Sequence, residues 1–186
     1  MNEELPKLID DAKQIAEDAQ KTFGHLSADQ VNWKPNAESW SVAQCFEHLI
    51  VINSSYFPLI EKIARSEYKH SLKERLPLLP RVFGKLVLNA VKPETERKLK
   101  ASPKFQPSSS AIDDDIIEKF TKHQQEVIEH IRMTEHLDLK KIIVTSPVAS
   151  FVTYSLLDGY KIVVAHEQRH FAQAERVMQM EEFPKN

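Results

Sequence analysis

Apolar residues recur every three or four positions in four long stretches of this chain, the spacing of one buried face of an α-helix. The first stretch runs from about Glu3 to Phe23, with Leu5, Leu8, Ile9, Ala12, Ile15, Ala16 and Ala19 in step. Pro6 falls in its first turn and Gly24 just past its end, positions that these residues favour at helix termini. A loop, HLSADQVNWKPNAES, holds Trp33 and leads past Trp40 into a second helix that Ser39 or Ser41 can cap. Its apolar face takes Val42, Cys45, Phe46, Leu49 and Ile52, and Pro58 bends it or ends its first part. A third helix opens at Ser110, with Asp113, Asp114 and Asp115 favouring its positive end, and keeps time through Ile112, Ile116, Phe120, Val127, Ile128 and Ile131 to about His136. After an extended connection, KKIIVTSPVAS, the last helix runs from about Tyr154 to Met180.

Between the second and third helices the pattern breaks. Pro77, Pro80, Pro93, Pro103 and Pro107 leave room for one short helix around Arg81 to Val91. Four long helices with a long crossover between the second and third predict an all-α four-helix bundle, and 186 residues fit a single domain, 1–186. With three glycines in the chain, few turns interrupt it.

Charge adds one asymmetry. Residues 69–104 carry ten Lys or Arg against three Glu, a net of +7 in a chain whose total is −2. The plain interpretation is a solvated crossover; the sharper one is an electropositive rim that draws in an anionic small molecule. The near-zero total argues against a nucleic-acid partner, and no run of 18 apolar residues exists to span a membrane. The start, MNEELPKLIDDAK, is acidic and amphipathic, unlike a secretory signal, and a lone Cys45 cannot form an internal disulfide. A cytoplasmic location is the expectation.

The candidate chemistry lies in HEQRH, residues 166–170. On a helix, residues four apart differ by about 40° in direction and lie one turn apart, so His166 and His170 can converge on one ion. They share a stripe with Leu156, Val163 and Val177, which points them into the bundle. His48 makes the same case on the second helix, on a face with Cys45, Val51 and Ile52. Buried imidazoles need partners: a divalent metal on His48, His166 and His170 would satisfy one nitrogen of each, and separate hydrogen bonds are the alternative. The other five histidines, His25, His70, His123, His130 and His136, are expected at the surface.

Three other metal chemistries fit less well. HEQRH spells the zinc-peptidase signature with Glu167 as base, but Gln173 and Arg176 stand where the extended motif needs glycine and histidine. A carboxylate-bridged di-iron site could pair Glu167 and His170 with Glu67 and His70, but it leaves His48 and His166 without roles. A closed site including Cys45 would be structural, whereas a free cysteine is usually a small buried hydrophobe. Glu47 and Glu167 adjoin ligands in sequence, yet helix neighbours point about 100° apart, so they are expected as outer-sphere or surface groups and the catalytic residues stay unassigned. Trp33 and Trp40 suit anchoring of the loop on the bundle end, an aromatic wall over the metal pocket being the alternative; Phe151 and Tyr154 carry the same ambiguity.

The stretches VNWKPNAESWSVAQCFEHL, TSPVASFVTYSLLDGY and AHEQRHFAQAERV together resemble the DinB superfamily of four-helix-bundle metal proteins, within it the YfiT-like branch. The most specific marks are the Trp-Ser start with a histidine eight residues after the tryptophan, and the terminal His-x-x-x-His. The resemblance implies a divalent metal, commonly zinc or nickel, on His48, His166 and His170. It also implies a choice of activities: transfer of a low-molecular-weight thiol to an electrophilic small molecule, or a related metal-dependent hydrolysis. A non-enzymatic, stress-related bundle with a structural or adventitious metal is the alternative, and pairing into a homodimer through bundle helices is compatible with the family.

Overall fold

The computed structural model describes residues 3–75, 79–93, 102–108 and 111–185. Four long helices form the bundle: α1 (Leu5–Phe23), α3 (Val42–Ser54), α6 (Ile116–Met133) and α7 (Leu156–Met178). Both α1 and α3 pack against α6 and α7, which sets α1 opposite α3 across a core of Phe23, Phe46, Leu49, Phe120, Ile131 and Leu157. The predicted all-α bundle, with its long crossover between the second and third bundle helices, is the fold observed. No helix among the described residues is long and apolar enough to cross a membrane.

Several local features depart from the sequence reading. The loop before α3 contains a short helix, α2 (Ala28–Asn32), capped reciprocally by Ser27 and Gln30. α3 ends at Ser54, and Pro58 starts a separate helix, α4 (Phe57–Ala64), at a position where its missing N–H costs nothing. The crossover helix α5 spans Leu79–Val91 and covers the strand before α7 as well as α7 itself. Gly84 permits that approach, because a Cβ there would lie 3.0 Å from the Asp158 carboxylate.

The third bundle helix starts at Ile116, later than its acidic run suggested, and Ser110 lies outside the described residues. Asn32 explains part of the delay: its side chain bonds both the N–H and the C=O of Ile112, at 2.8 Å each, and so removes those groups from any helix. The extended connection closes into a hairpin of β1 (Ile143–Thr145) and β2 (Thr153–Ser155), with Val144 opposite Tyr154. Tyr154 is therefore a strand residue, and α7 begins only at Leu156, capped by Ser155.

Candidate metal centre

Helix α3 begins with a capping box that sets the register of everything after it. Ser41 Oγ accepts from the N–H of Gln44 and the Gln44 amide oxygen accepts from the N–H of Ser41, both at 3.1 Å. Seven residues on, His48 faces the bundle, 3% exposed. From α7, His166 and His170 approach the same point, one turn apart, with His170 7% exposed. The ligand atoms of these three side chains all lie within 4.8 Å of one another, and no carboxylate among the described residues joins the cluster.

The protonation pattern is partly fixed. His48 Nδ1 lies 2.6 Å from the carbonyl oxygen of Phe105, so Nδ1 carries the proton and donates it, leaving the Nε2 lone pair directed at the other two rings. His166 and His170 face each other through Nε2 atoms 3.0 Å apart. Two lone pairs at that distance repel unless a proton or a metal ion lies between them. Metal–nitrogen bonds of about 2.0–2.1 Å at tetrahedral angles would place two ligand nitrogens about 3.3 Å apart, close to the spacing seen.

Burial keeps the imidazoles neutral, as ligands must be. It lowers the pKa of His48 despite the Phe105 carbonyl, and lowers that of His170 well below the ordinary value with help from the neighbouring histidines and Arg169. His166 keeps some surface exposed, yet its ring lies deep enough that burial, with His48 and Arg169, pushes its pKa down to about 3. No fourth side-chain ligand among the described residues joins the three imidazoles, so an ion held there would keep a coordination position for a further ligand. The donor set fits zinc or nickel and does not choose between them.

The second tryptophan, Trp40, lies on this cluster. Its ring centroid is 5.4 Å from that of His170 at an interplanar angle of 16°, and 4.8 Å from that of His48. Trp33 does what anchoring predicts, packing edge-on against Phe183, while Phe151 is 70% exposed and Tyr154 is buried. Phe105 was invisible to sequence reasoning because its contribution is a backbone carbonyl. Trp40 had a signal, its place immediately before the cap of the helix that carries His48.

Neither glutamate that adjoins a ligand in sequence is among the converging ligand atoms. Glu167 is fully buried, accepting from Asn53 Nδ2 at 2.6 Å across the α3–α7 interface, and does not join the converging set. Burial outweighs the neighbouring amides of Gln124 and Asn53 and pushes its pKa up to about 8. Glu47 accepts from the N–H of Ser108 at 2.6 Å, so it secures the crossover. One expectation is corrected here: Val51 is 42% exposed where a core residue was expected.

Outside the trio, the expected surface histidines divide. His25, His70 and His136 are exposed, but His123 is buried against Phe57, and His130 stacks on the same ring at 3.8 Å. Glu67 and His70 are exposed and stand apart from the trio's ligand atoms, so the di-iron pairing is not assembled. Cys45 is fully buried, its thiol pushed up to about 12 by burial, and its sulfur is not one of the converging ligand atoms. Of the basic crossover, residues 76–78 and 94–101, including Arg97, Lys98 and Lys100, lie outside the described residues. Arg169 donates to the carbonyls of Ala90 and Lys92, which ties the end of α5 to α7 beside the cluster.

The family model of the DinB superfamily matches residues 12–174, a span that takes in all three histidines. No curated protein and no solved structure matches the chain.

Proposed function

We propose that this chain, a member of the DinB superfamily, holds a divalent zinc or nickel ion on Nε2 of His48, His166 and His170 and works as a metal-dependent enzyme on a small molecule. The observation that carries the reading is the convergence of three neutral imidazoles with no carboxylate partner among the described residues. A divalent ion there lowers the pKa of a thiol or water brought to it and so supplies a nucleophile near neutral pH.

Transfer of a low-molecular-weight thiol to an electrophile is the favoured chemistry, with metal-dependent hydrolysis next to it. Hydrolysis asks more of the protein, because a base must take and return protons. Glu47 is engaged with Ser108, and Glu167, bonded to Asn53 through one oxygen, lies outside the converging ligand atoms. A thiol that arrives already acidic needs less proton management. His48 is held by Phe105, His170 lies under Trp40, and Arg169 keeps a positive charge beside the cluster, which suits an anionic cosubstrate.

One observation favours the alternative, a structural ion in a non-enzymatic bundle: the trio and Phe105 tie α3, α7 and the crossover together. The metal-loaded protein should be offered an electrophile panel with several cellular thiols in turn, followed by removal of the metal with a chelator. Thiol-dependent turnover that stops on chelation supports the transferase. Unfolding on chelation, without turnover on any thiol or hydrolysable substrate, supports the structural ion.

A further inference from the structure

A histidine ligand keeps its aim only if its ring is prevented from turning, and the usual device is a hydrogen bond on the nitrogen that does not face the metal. His48 has that device in the Phe105 carbonyl. His170 does not: its Nδ1 is buried and no protein group among the described residues closes a hydrogen bond of good geometry on it. The Gln173 side chain, three residues on, approaches the ring as a hydrogen-bond partner, but not at a geometry that closes a bond on Nδ1. The terminal torsion of histidine is broad, so a ring without such a bond is free to swing unless packing stops it.

Packing does stop it. The Trp40 indole lies almost parallel to the His170 ring, 16° off and 5.4 Å between centroids, and its position also brings it 4.8 Å from the His48 ring. Its own backbone is fixed, because the next residue, Ser41, is the buried cap of α3. We infer that Trp40 is the positioning residue of the metal centre, holding the plane of His170 by stacking where His48 is held by a hydrogen bond. The inference rests on the metal reading above. It also assigns the two tryptophans different work, since Trp33 packs on Phe183.

The test uses the full chain and Zn²⁺, Ni²⁺ and Co²⁺ as probes. Trp40→Leu should keep the helical content of the metal-free protein but weaken Ni²⁺ and Zn²⁺ binding about tenfold, the lower end of what outer-sphere changes cost. Trp40→Phe, which keeps an aromatic face, should bind within about threefold of wild type on the same scale. The visible absorption of bound Co²⁺ should change in Trp40→Leu and not in Trp40→Phe, a response that a merely structural tryptophan would not give. In a Trp33→Phe background, a single equivalent of Ni²⁺ should quench the emission of Trp40.

Equal affinity and an unchanged Co²⁺ spectrum in Trp40→Leu would overturn the positioning role while leaving the metal centre standing. A wild-type protein that takes up none of these ions would overturn both. Should Trp40→Leu fail to fold, the quenching and the Trp40→Phe affinity decide: unquenched Trp40 emission, or a tenfold loss in Trp40→Phe, counts against the inference.

Discussion

Two groups of buried and half-buried histidines occur in this bundle, and they are built in opposite ways. On the α4–α6 side, His123 and His130 lie on the Phe57 ring, and each faces a carboxylate, Glu126 at 3.2 Å and Glu61 at 3.4 Å. On the α3–α7 side, His48, His166 and His170 face one another, and no carboxylate among the described residues joins them. The first arrangement gives each imidazole an anionic neighbour and does not gather three ligand atoms at one point. The second gathers lone pairs that only a proton or a metal can reconcile. Burial and helical spacing are common to both groups, so neither marks a site; the convergence of ligand nitrogens does.

The comparison breaks most sharply at the ligands. His48→Ala and His166→Ala should each lower Zn²⁺ or Ni²⁺ affinity by more than the roughly 10- to 100-fold typical of outer-sphere changes. His123→Ala and His130→Ala should leave bound metal at the wild-type level. Metal content after dialysis, with titration calorimetry, checks both; equal losses from the two groups would erase the distinction.

A carboxylate with all its donors in place shows the partnered extreme. Glu74 accepts from Tyr68 Oη, the N–H of Ser71 and Thr145 Oγ1, with His70 alongside, and so fastens the crossover to β1. Burial raises its pKa, but these donors outweigh it and the net shift is downward from 4.5. A carboxyl depressed in the folded state contributes stability above its unfolded pKa and loses it as pH falls through the folded one. Glu74→Gln should therefore cost about 2 kcal/mol at neutral pH and flatten the acid limb of stability below about pH 4.5. Denaturant melts of both proteins from pH 7 to pH 3 measure it, and parallel pH curves would refute it.

Cys45 tests the boundary of the trio, one turn before His48. Cys45→Ala should leave metal content and stoichiometry unchanged and cost about 1 kcal/mol for the small cavity it opens. The native thiol should also resist alkylation until the protein unfolds, since burial pushes its pKa to about 12. Loss of metal in Cys45→Ala would restore the closed four-ligand site. The smallest effect belongs to the Glu61–His130 contact: Glu61→Gln should shift stability by less than about 1 kcal/mol, as partly exposed pairs do.

Much of the fold was legible because it depends on local repetition. The apolar rhythm of α1 names its buried face from Leu5 to Phe23 residue by residue. Ser41 announces α3, and Pro58 marks where that helix gives way to α4. The misses have equally physical sources. α2 carries a capping box, Ser27 with Gln30, but its five residues are too few to show a period. The three-residue strands exist only as each other's partners, so neither half signals itself. His123 sits in a strongly charged helix and is covered only because α4 lays Phe57 over it.

At the site, residue order alone puts His166 and His170 on one helix face and His48 on an apolar helix, because helical geometry and side-chain chemistry are local properties. Tertiary structure decided the rest. It brought α3 against α7 so that three nitrogens converge, set the Phe105 carbonyl behind one ring and the Trp40 indole beside another, and turned Glu167 away into a bond with Asn53. Those relations join residues far apart in the chain, and their energies depend on burial and distance, which exist only once the helices have packed.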